Sequence, residues 1–289
     1  MRGRERVQAI LSQDNNVLMT ARHRSLRSTV WRMKKAGCLV EVLPGVCVPP
    51  ECKNDPATLL AAVANWAPQA VFIGRTAEQL LAGGTVSLPL HIALQSSRSV
   101  PTWLRRMRRT VPPDRVVSQG GLPVADPRYL AVESAARDRG KALFDLLRED
   151  SNAIPELVPT LRWLRGSRGQ VERAKVVHAC RNRPWSYPEL ELQQLLLNHG
   201  ISDWIANHPL RIGSTLIRAD LYFPDVRLAI EFDSWEFHSS RTAFESDRRK
   251  ENLLTISGAR TLRITWEMLS QDPDGVVATV RAALRACAA

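Results

Sequence analysis

The feature that most constrains this chain is the short run Arg227-Leu-Ala-Ile-Glu-Phe-Asp233. Leu228, Ile230 and Phe232 alternate with Ala229, Glu231 and Asp233, the period-two pattern of a strand with one face in an apolar core. Glu231 and Asp233 therefore project from the same face. Upstream, Ile217-Arg-Ala-Asp220-Leu-Tyr-Phe-Pro reads as the preceding strand of a hairpin, with Asp225 in the turn, and this brings Asp220 toward the other two acids. Three carboxylates on one sheet face repel unless some are protonated or a cation lies between them. Oxygen-only ligands of this kind suit Mg²⁺ or Mn²⁺, which usually keep waters that can act as nucleophiles. The competing reading is a solvated acidic patch paired with Arg218, Arg227 or Arg248.

The flanking sequence frames these strands. Trp185-Ser-Tyr-Pro-Glu189 opens a helix: Ser186 can cap it, Pro188 suits its first turn, and Glu189 lies near its start. Leu192, Leu195 and Leu196 give that helix an apolar face. A strand region at Leu210–Ile212 follows Gly200, and residues 184–286 as a whole read helix, strands, helix, strand, helix.

A family resemblance rests on this stretch. The runs Arg218-Ala-Asp-Leu-Tyr-Phe-Pro-Asp-Val-Arg-Leu-Ala-Ile-Glu-Phe-Asp-Ser-Trp-Glu-Phe-His238, Phe244-Glu-Ser-Asp-Arg-Arg249 and Gly258-Ala-Arg-Thr-Leu-Arg-Ile-Thr-Trp266 resemble a widespread bacterial domain related to the very-short-patch-repair endonucleases. That domain belongs to the PD-(D/E)XK nucleases, and the likeness covers roughly residues 185–286, the helix of Glu189 included. The resemblance implies a restriction-endonuclease-like fold in which Asp220 and Glu231 bind metal. Asp233 stands where the superfamily usually carries a lysine, and as a third carboxylate on that face it joins the expected ligands. His238 matches a histidine that follows the second motif in this branch, which implies a proton shuttle. Asp247 and Arg248 lie on the next expected helix, facing the site or the DNA backbone, and Glu189, His238 or Asp247 is expected to complete the catalytic set. The chain departs from the pattern twice: the lysine is absent, and Ser234 replaces the usual glycine after Asp233.

At the other end, residues 1–53 read as three helices and a hairpin that turns at Pro44-Gly45 and ends at Pro49-Pro50. Ser25 or Ser28 can cap the helix that carries Leu26, Val30 and Met33 on one face, and Gly37 ends it. Two short helices, a tight turn and a hairpin make a winged helix. Its bases (Arg22, Arg24, Arg27, Arg32, Lys34 and Lys35) face one acid, Glu41, and on a helix in a major groove they would reach phosphates and base edges. A solvated basic face that binds only protein is the alternative. The run Leu18-Met-Thr-Ala-Arg-His-Arg to Pro44-Gly-Val-Cys-Val48 also resembles the N-terminal winged helix of AbiEi-type antitoxins and regulators.

The middle is less informative. Residues 56–125 read as a small α/β subdomain with helices at Ala57–Trp66 and Thr76–Ala82, an apolar run at Ala70–Ile73, and strands at Leu90–Leu94 and Arg115–Ser118. The arginines of Trp103-Leu-Arg-Arg-Met-Arg-Arg109 are either a phosphate-contacting strip or solvated charge around buried Trp103, Leu104 and Met107. Residues 126–183 read as a helical connector, with helices at Arg128–Arg139 and Gly169–Cys180, and Pro184 opens the last domain, 184–289. The whole is an α/β (α+β) chain: winged helix, mixed α/β middle, nuclease-like C-terminal domain.

A formal charge of +11 favours a polyanionic partner, and double-stranded DNA is the one expected. Five cysteines without a C-x-x-C pair argue against zinc and against a disulfide framework. The basic N-terminus lacks a signal-peptide core and no apolar run is long enough for a membrane span, so a cytoplasmic protein is expected. Three functions follow. The first is a Mg²⁺- or Mn²⁺-dependent DNA endonuclease targeted by a winged helix; the second is an antitoxin or autoregulator with a degenerate nuclease fold and a cognate toxin. The third is an RNA-directed nuclease in toxin or phage-defence systems, and each admits a homodimer.

Overall fold

A computed structural model describes residues 3–97, 99–233 and 241–288; the side chains of residues 241–244, 246 and 247 lie outside the description. Two compact units result: Met1–Glu133 with Arg162–Arg165, and Ser134–Leu161 with Gly166–Ala289. No helix among the described residues is long and apolar enough to cross a membrane.

The first unit begins with α1 (Gly3–Gln13), β1 (Leu18–Met19), α2 (Arg27–Lys35) and the hairpin β2 (Val40–Leu43) and β3 (Val46–Val48), its strands ordered β1-β3-β2. Val7, Leu11, Leu18, Leu26, Val30 and Met33 close a small core beneath them. The three helices expected here become two, because Leu18 and Met19 pair with Cys47 and Val46 as a strand. Arg24–Leu26 form only a single 3₁₀ turn running into α2. Neither Ser25 nor Ser28 caps that helix; its N-cap position is Leu26, with no side-chain bond. Gly37 does end it: at φ +70° it lets the Cys38 amide donate to the Met33 carbonyl at 2.8 Å.

A five-stranded sheet follows, built by α3 (Pro56–Trp66), β4 (Val71–Phe72), α4 (Gly74–Leu81), β5 (Leu90–Ala93), β6 (Leu104–Met107), β7 (Val116–Gln119) and β8 (Leu122–Ala125), in the order β6-β5-β4-β8-β7. The arginine-rich run around Trp103 is thus an edge strand, β6, which pairs with β5 in parallel. Leu104 is buried as expected, but Met107 is 45% exposed, since alternate residues of an edge strand face outward.

In the second unit, α5 (Pro127–Ser134) crosses the boundary and stops well short of Arg139, and α6 (Lys141–Glu149), α7 (Ile154–Thr160) and α8 (Gln170–Ala179) follow. Then come α9 (Tyr187–Asn198), β9 (Ile205–Ile212), β10 (Thr215–Phe223), β11 (Leu228–Asp233), α10 (Arg241–Ile256), β12 (Arg260–Thr265), α11 (Trp266–Gln271) and α12 (Pro273–Ala288). The four strands form one sheet ordered β12-β11-β10-β9. β9, β10 and β11 are antiparallel neighbours; β12 runs parallel to β11, as a crossover through a helix requires. On one sheet face Leu221, Phe223, Leu228 and Ile230 pack with Leu192 and Leu196 of α9 and with Val276, Val277 and Val280 of α12. On the other, Tyr222 and Ala229 meet Leu254 of α10. That second face carries the acids.

Candidate active site

The sheet register assembles the site. Leu221 pairs with Ile230, so Asp220 falls one step further on, opposite Glu231, and the two point to the same face. Asp220 is held there by a hydrogen bond that its Oδ2 accepts from the Phe232 amide at 2.8 Å. Asp233 lies two residues beyond Glu231 on that face, as the alternation predicts. The three carboxylates line one cavity of about 700 Å³ together with Glu189, at the start of α9.

Glu189 forms a reciprocal cap. Its amide donates to Ser186 Oγ at 3.3 Å, while its Oε1 accepts from Ser186 Oγ and its Oε2 from the Trp185 amide, each at 2.8 Å. Burial and the neighbouring Asp220 push its carboxyl up to about 7. Burial and Asp220 likewise push Glu231 up to about 7, and burial raises Asp220 despite the opposing charge of Lys250. Crowded, desolvated carboxylates hold protons into the neutral range because adding each charge costs more than in water.

Two cations, neither expected from the sequence, sit among them. Lys250 of α10 pairs directly with Glu231 Oε2, and its Nζ lies 3.8 Å from Asp220 Oδ1. Leu254, one turn further along α10, is buried against the acid-bearing face, and this anchors the helix with Lys250 above the carboxylates. Arg263 of β12 stands beside Glu231 in the register; its Nη1 reaches Asp233 Oδ1 at 2.7 Å and its Nη2 lies 3.5 Å from Glu251 Oε2. Arg248 continues the row by pairing with Glu251 at 2.6 Å.

These pairings correct several expectations. The acids do not turn to Arg218 or Arg227, which donate instead to the carbonyls of Asn207 and Ser257. Asp233 engages Arg263, and among the described residues no three His, Cys, Asp or Glu side chains converge as a preformed metal cage. The pair Asp220 and Glu231 does fit a hard cation that keeps its waters. Glu231 is 7% exposed, and its buried Oε1 has no hydrogen-bond partner among the described residues. His238 lies outside the described residues, as does the side chain of Asp247.

One signal for Lys250 was present in the sequence: it is the only lysine after Lys175, in a chain where arginine supplies most of the basic residues. Arg263 carried no such mark. Its role depends on a strand pairing of residues 32 positions apart, Glu231 with Arg263.

Among the expected DNA contacts, Arg24, Arg27, Arg32 and Lys35 are exposed on or just before α2. Trp31, 61% exposed, sits among them with Lys35 Nζ 5.9 Å from its ring centroid. Lys34 differs, since it is paired with Glu41, whose other oxygen accepts from the Gly45 amide at the hairpin turn.

No family model matches the chain. It is similar to two proteins of Mycobacterium tuberculosis, "Uncharacterized protein MT2308" of strain CDC 1551 / Oshkosh and "Uncharacterized protein Rv2248" of strain ATCC 25618 / H37Rv. Each is 27% identical over 159 residues, which is 53% of this chain and 59% of the relative. The chain thus spans about three-fifths of the length of the relatives it matches, a likeness in sequence that attaches no chemistry to the site.

Proposed function

We propose that residues 184–289 form a divalent-metal-dependent DNA endonuclease of the PD-(D/E)XK type, and that residues 1–53 form a winged helix that directs it to duplex DNA. The observation that carries the reading is the Asp220–Glu231 pair: a half-buried and a buried carboxylate opposite each other on adjacent strands, Glu231 Oε1 without a hydrogen-bond partner among the described residues, and a lysine beside them. The element order helix, three antiparallel strands, helix, parallel strand supports the same assignment.

Asp220 and Glu231 would hold Mg²⁺ or Mn²⁺, which supplies an activated water and neutralises charge on the phosphate when bound. The Phe232 amide fixes Asp220 so that its second oxygen stays directed at the site. Lys250 provides the cation that the second strand lacks, and from α10 it can donate to a phosphate oxygen as negative charge grows there. Arg263 holds Asp233 and keeps that carboxylate as a counter-charge. Nicking of supercoiled plasmid in Mn²⁺ is the test: wild-type protein cuts, while Asp220→Asn and Glu231→Gln do not, with DNA affinity unchanged within about twofold. Wild-type protein that cuts neither DNA nor RNA in Mg²⁺ or Mn²⁺ would sink the proposal.

A second reading, an AbiEi-like regulator with a silent nuclease fold, has one observation in its favour. Glu231 and Asp233 already have protein cations, Lys250 and Arg263, as partners. Under that reading the site is stable without metal and added Mn²⁺ leaves the melting temperature unchanged.

A further inference from the structure

The segment before the nuclease-like core also lines its cavity: Asp138 and Arg139 lie just before α6, and Lys141, Asp145 and Arg148 lie on it, Lys141 and Arg148 both pairing with Asp145 at 2.7 and 2.9 Å. Aromatic rings line the same space. Trp185 carries Arg218 over one face at 5.7 Å from its centroid, and Tyr187 carries Arg139 at 5.6 Å. The carboxylates thus share a space of about 700 Å³ with two aromatic rings and with Arg139, Lys141 and Arg148, the last two paired with Asp145. A space of that size falls within the usual range for pockets that hold a small molecule. A duplex presents its phosphates on a convex surface with the bases stacked inside, and a base enters a pocket only when it is unpaired or flipped out of the stack. Basic walls interleaved with aromatic rings are what a single strand requires, phosphates along the charge and bases on the rings.

We infer that the cleavage cavity takes an unpaired nucleotide of a single-stranded polynucleotide, with Trp185 and Tyr187 as its base-contacting surface and Arg139, Lys141 and Arg148 along its backbone. The inference rests on the nuclease reading for its chemistry and adds the substrate class. The basic helix α2 would still bind duplex. Strand scission would then be confined to ends, gaps and bulges where a nucleotide is free to enter.

The test uses the full chain and two readouts. Fluorescein-labelled (dT)₆ and (rU)₆ are titrated by anisotropy with Ca²⁺ in place of Mg²⁺. Cleavage in Mn²⁺ is compared for a single strand, a blunt duplex and the same duplex with a three-nucleotide bulge. The expected result is hexanucleotide binding that weakens at least fivefold in both Trp185→Ala and Arg139→Ala, with blunt-duplex affinity unchanged. Single-stranded or bulged DNA is then cut at least tenfold faster than blunt duplex. Because Trp185 is half-buried, the exposed Arg139 provides a second variant that does not disturb the core. Equal cleavage of blunt duplex and single strand, or hexanucleotide binding indifferent to both substitutions, overturns the inference while leaving the nuclease reading intact. Hexanucleotide binding that depends on Trp185 and Arg139, without cleavage of any substrate, overturns the nuclease reading and leaves the cavity's occupant as inferred. Preference for (dT)₆ or (rU)₆ decides which polynucleotide supplies the strand.

Discussion

Lys250 and Glu231 form a direct ion pair between helix α10 and strand β11, at the point where the carboxylates crowd most. The lysine opposes the rise in proton affinity that burial and Asp220 impose on Glu231. It therefore acts as the cluster's internal cation, and any divalent ion must share Glu231 with it.

Replacing Lys250 separates these roles. Lys250→Met leaves Glu231 buried without its partner, and breaking one side of such a pair costs on the order of 3–5 kcal/mol. The expected outcome is a lowered melting temperature in EDTA, a larger stabilisation by Mn²⁺ than in the wild type, and cleavage reduced at least a hundredfold. A variant that keeps wild-type cleavage would remove Lys250 from the chemistry.

Metal binding and stability should respond to pH in opposite senses. Glu189 and Glu231, raised to about 7 in the fold, titrate near the ordinary carboxylate range when unfolded. The unfolded chain therefore releases these protons first as pH rises, so metal-free stability from the cluster is fullest at low pH and is lost progressively between about pH 4.5 and 7. Mn²⁺ affinity increases over the same approach to neutrality, because the ion competes with protons. Melting curves in EDTA at pH 5 and pH 8 should show a smaller loss in Glu231→Gln than in the wild type. Equal losses would dissociate the pH effect from this cluster.

The cap at α9 is a more local matter. Ser186→Ala removes the hydroxyl that accepts from the Glu189 amide and donates to its carboxylate, and losses of this kind cost about 1 kcal/mol. Thermal unfolding should report that loss, and cleavage should fall with it, since Glu189 lines the site. Full activity at reduced stability would make Glu189 a structural residue only.

On the basic helix α2 the structure ranks the cations. Arg27→Ala with Arg32→Ala should weaken duplex binding about tenfold and lower the salt slope by roughly one for each phosphate that is no longer neutralised. Lys34→Ala should change affinity far less, because Lys34 is already paired with Glu41. Filter binding between 50 and 200 mM salt measures both; equal losses would mean that DNA displaces Glu41.

The sequence by itself determined the local patterns. Period-two alternation from Leu228 to Asp233 gave the strand and placed Glu231 and Asp233 on one face, and Ser186 with Glu189 marked the start of α9. Both are readable because strand alternation and helix caps depend on residues two to four positions apart. Even locally the reading failed where tertiary pairing overrode propensity: Leu18–Met19 became a strand against β3, and β6 formed within an arginine-rich run. Only the tertiary structure decided what stands beside the acids. Lys250 reaches them because Leu254 anchors α10 on the sheet, Arg263 because β12 pairs in parallel with β11, and Lys141, Asp145 and Arg148 because α6 lines the same cavity. Each of those contacts joins segments far apart in the chain, and no periodicity within a segment records its neighbour across a fold.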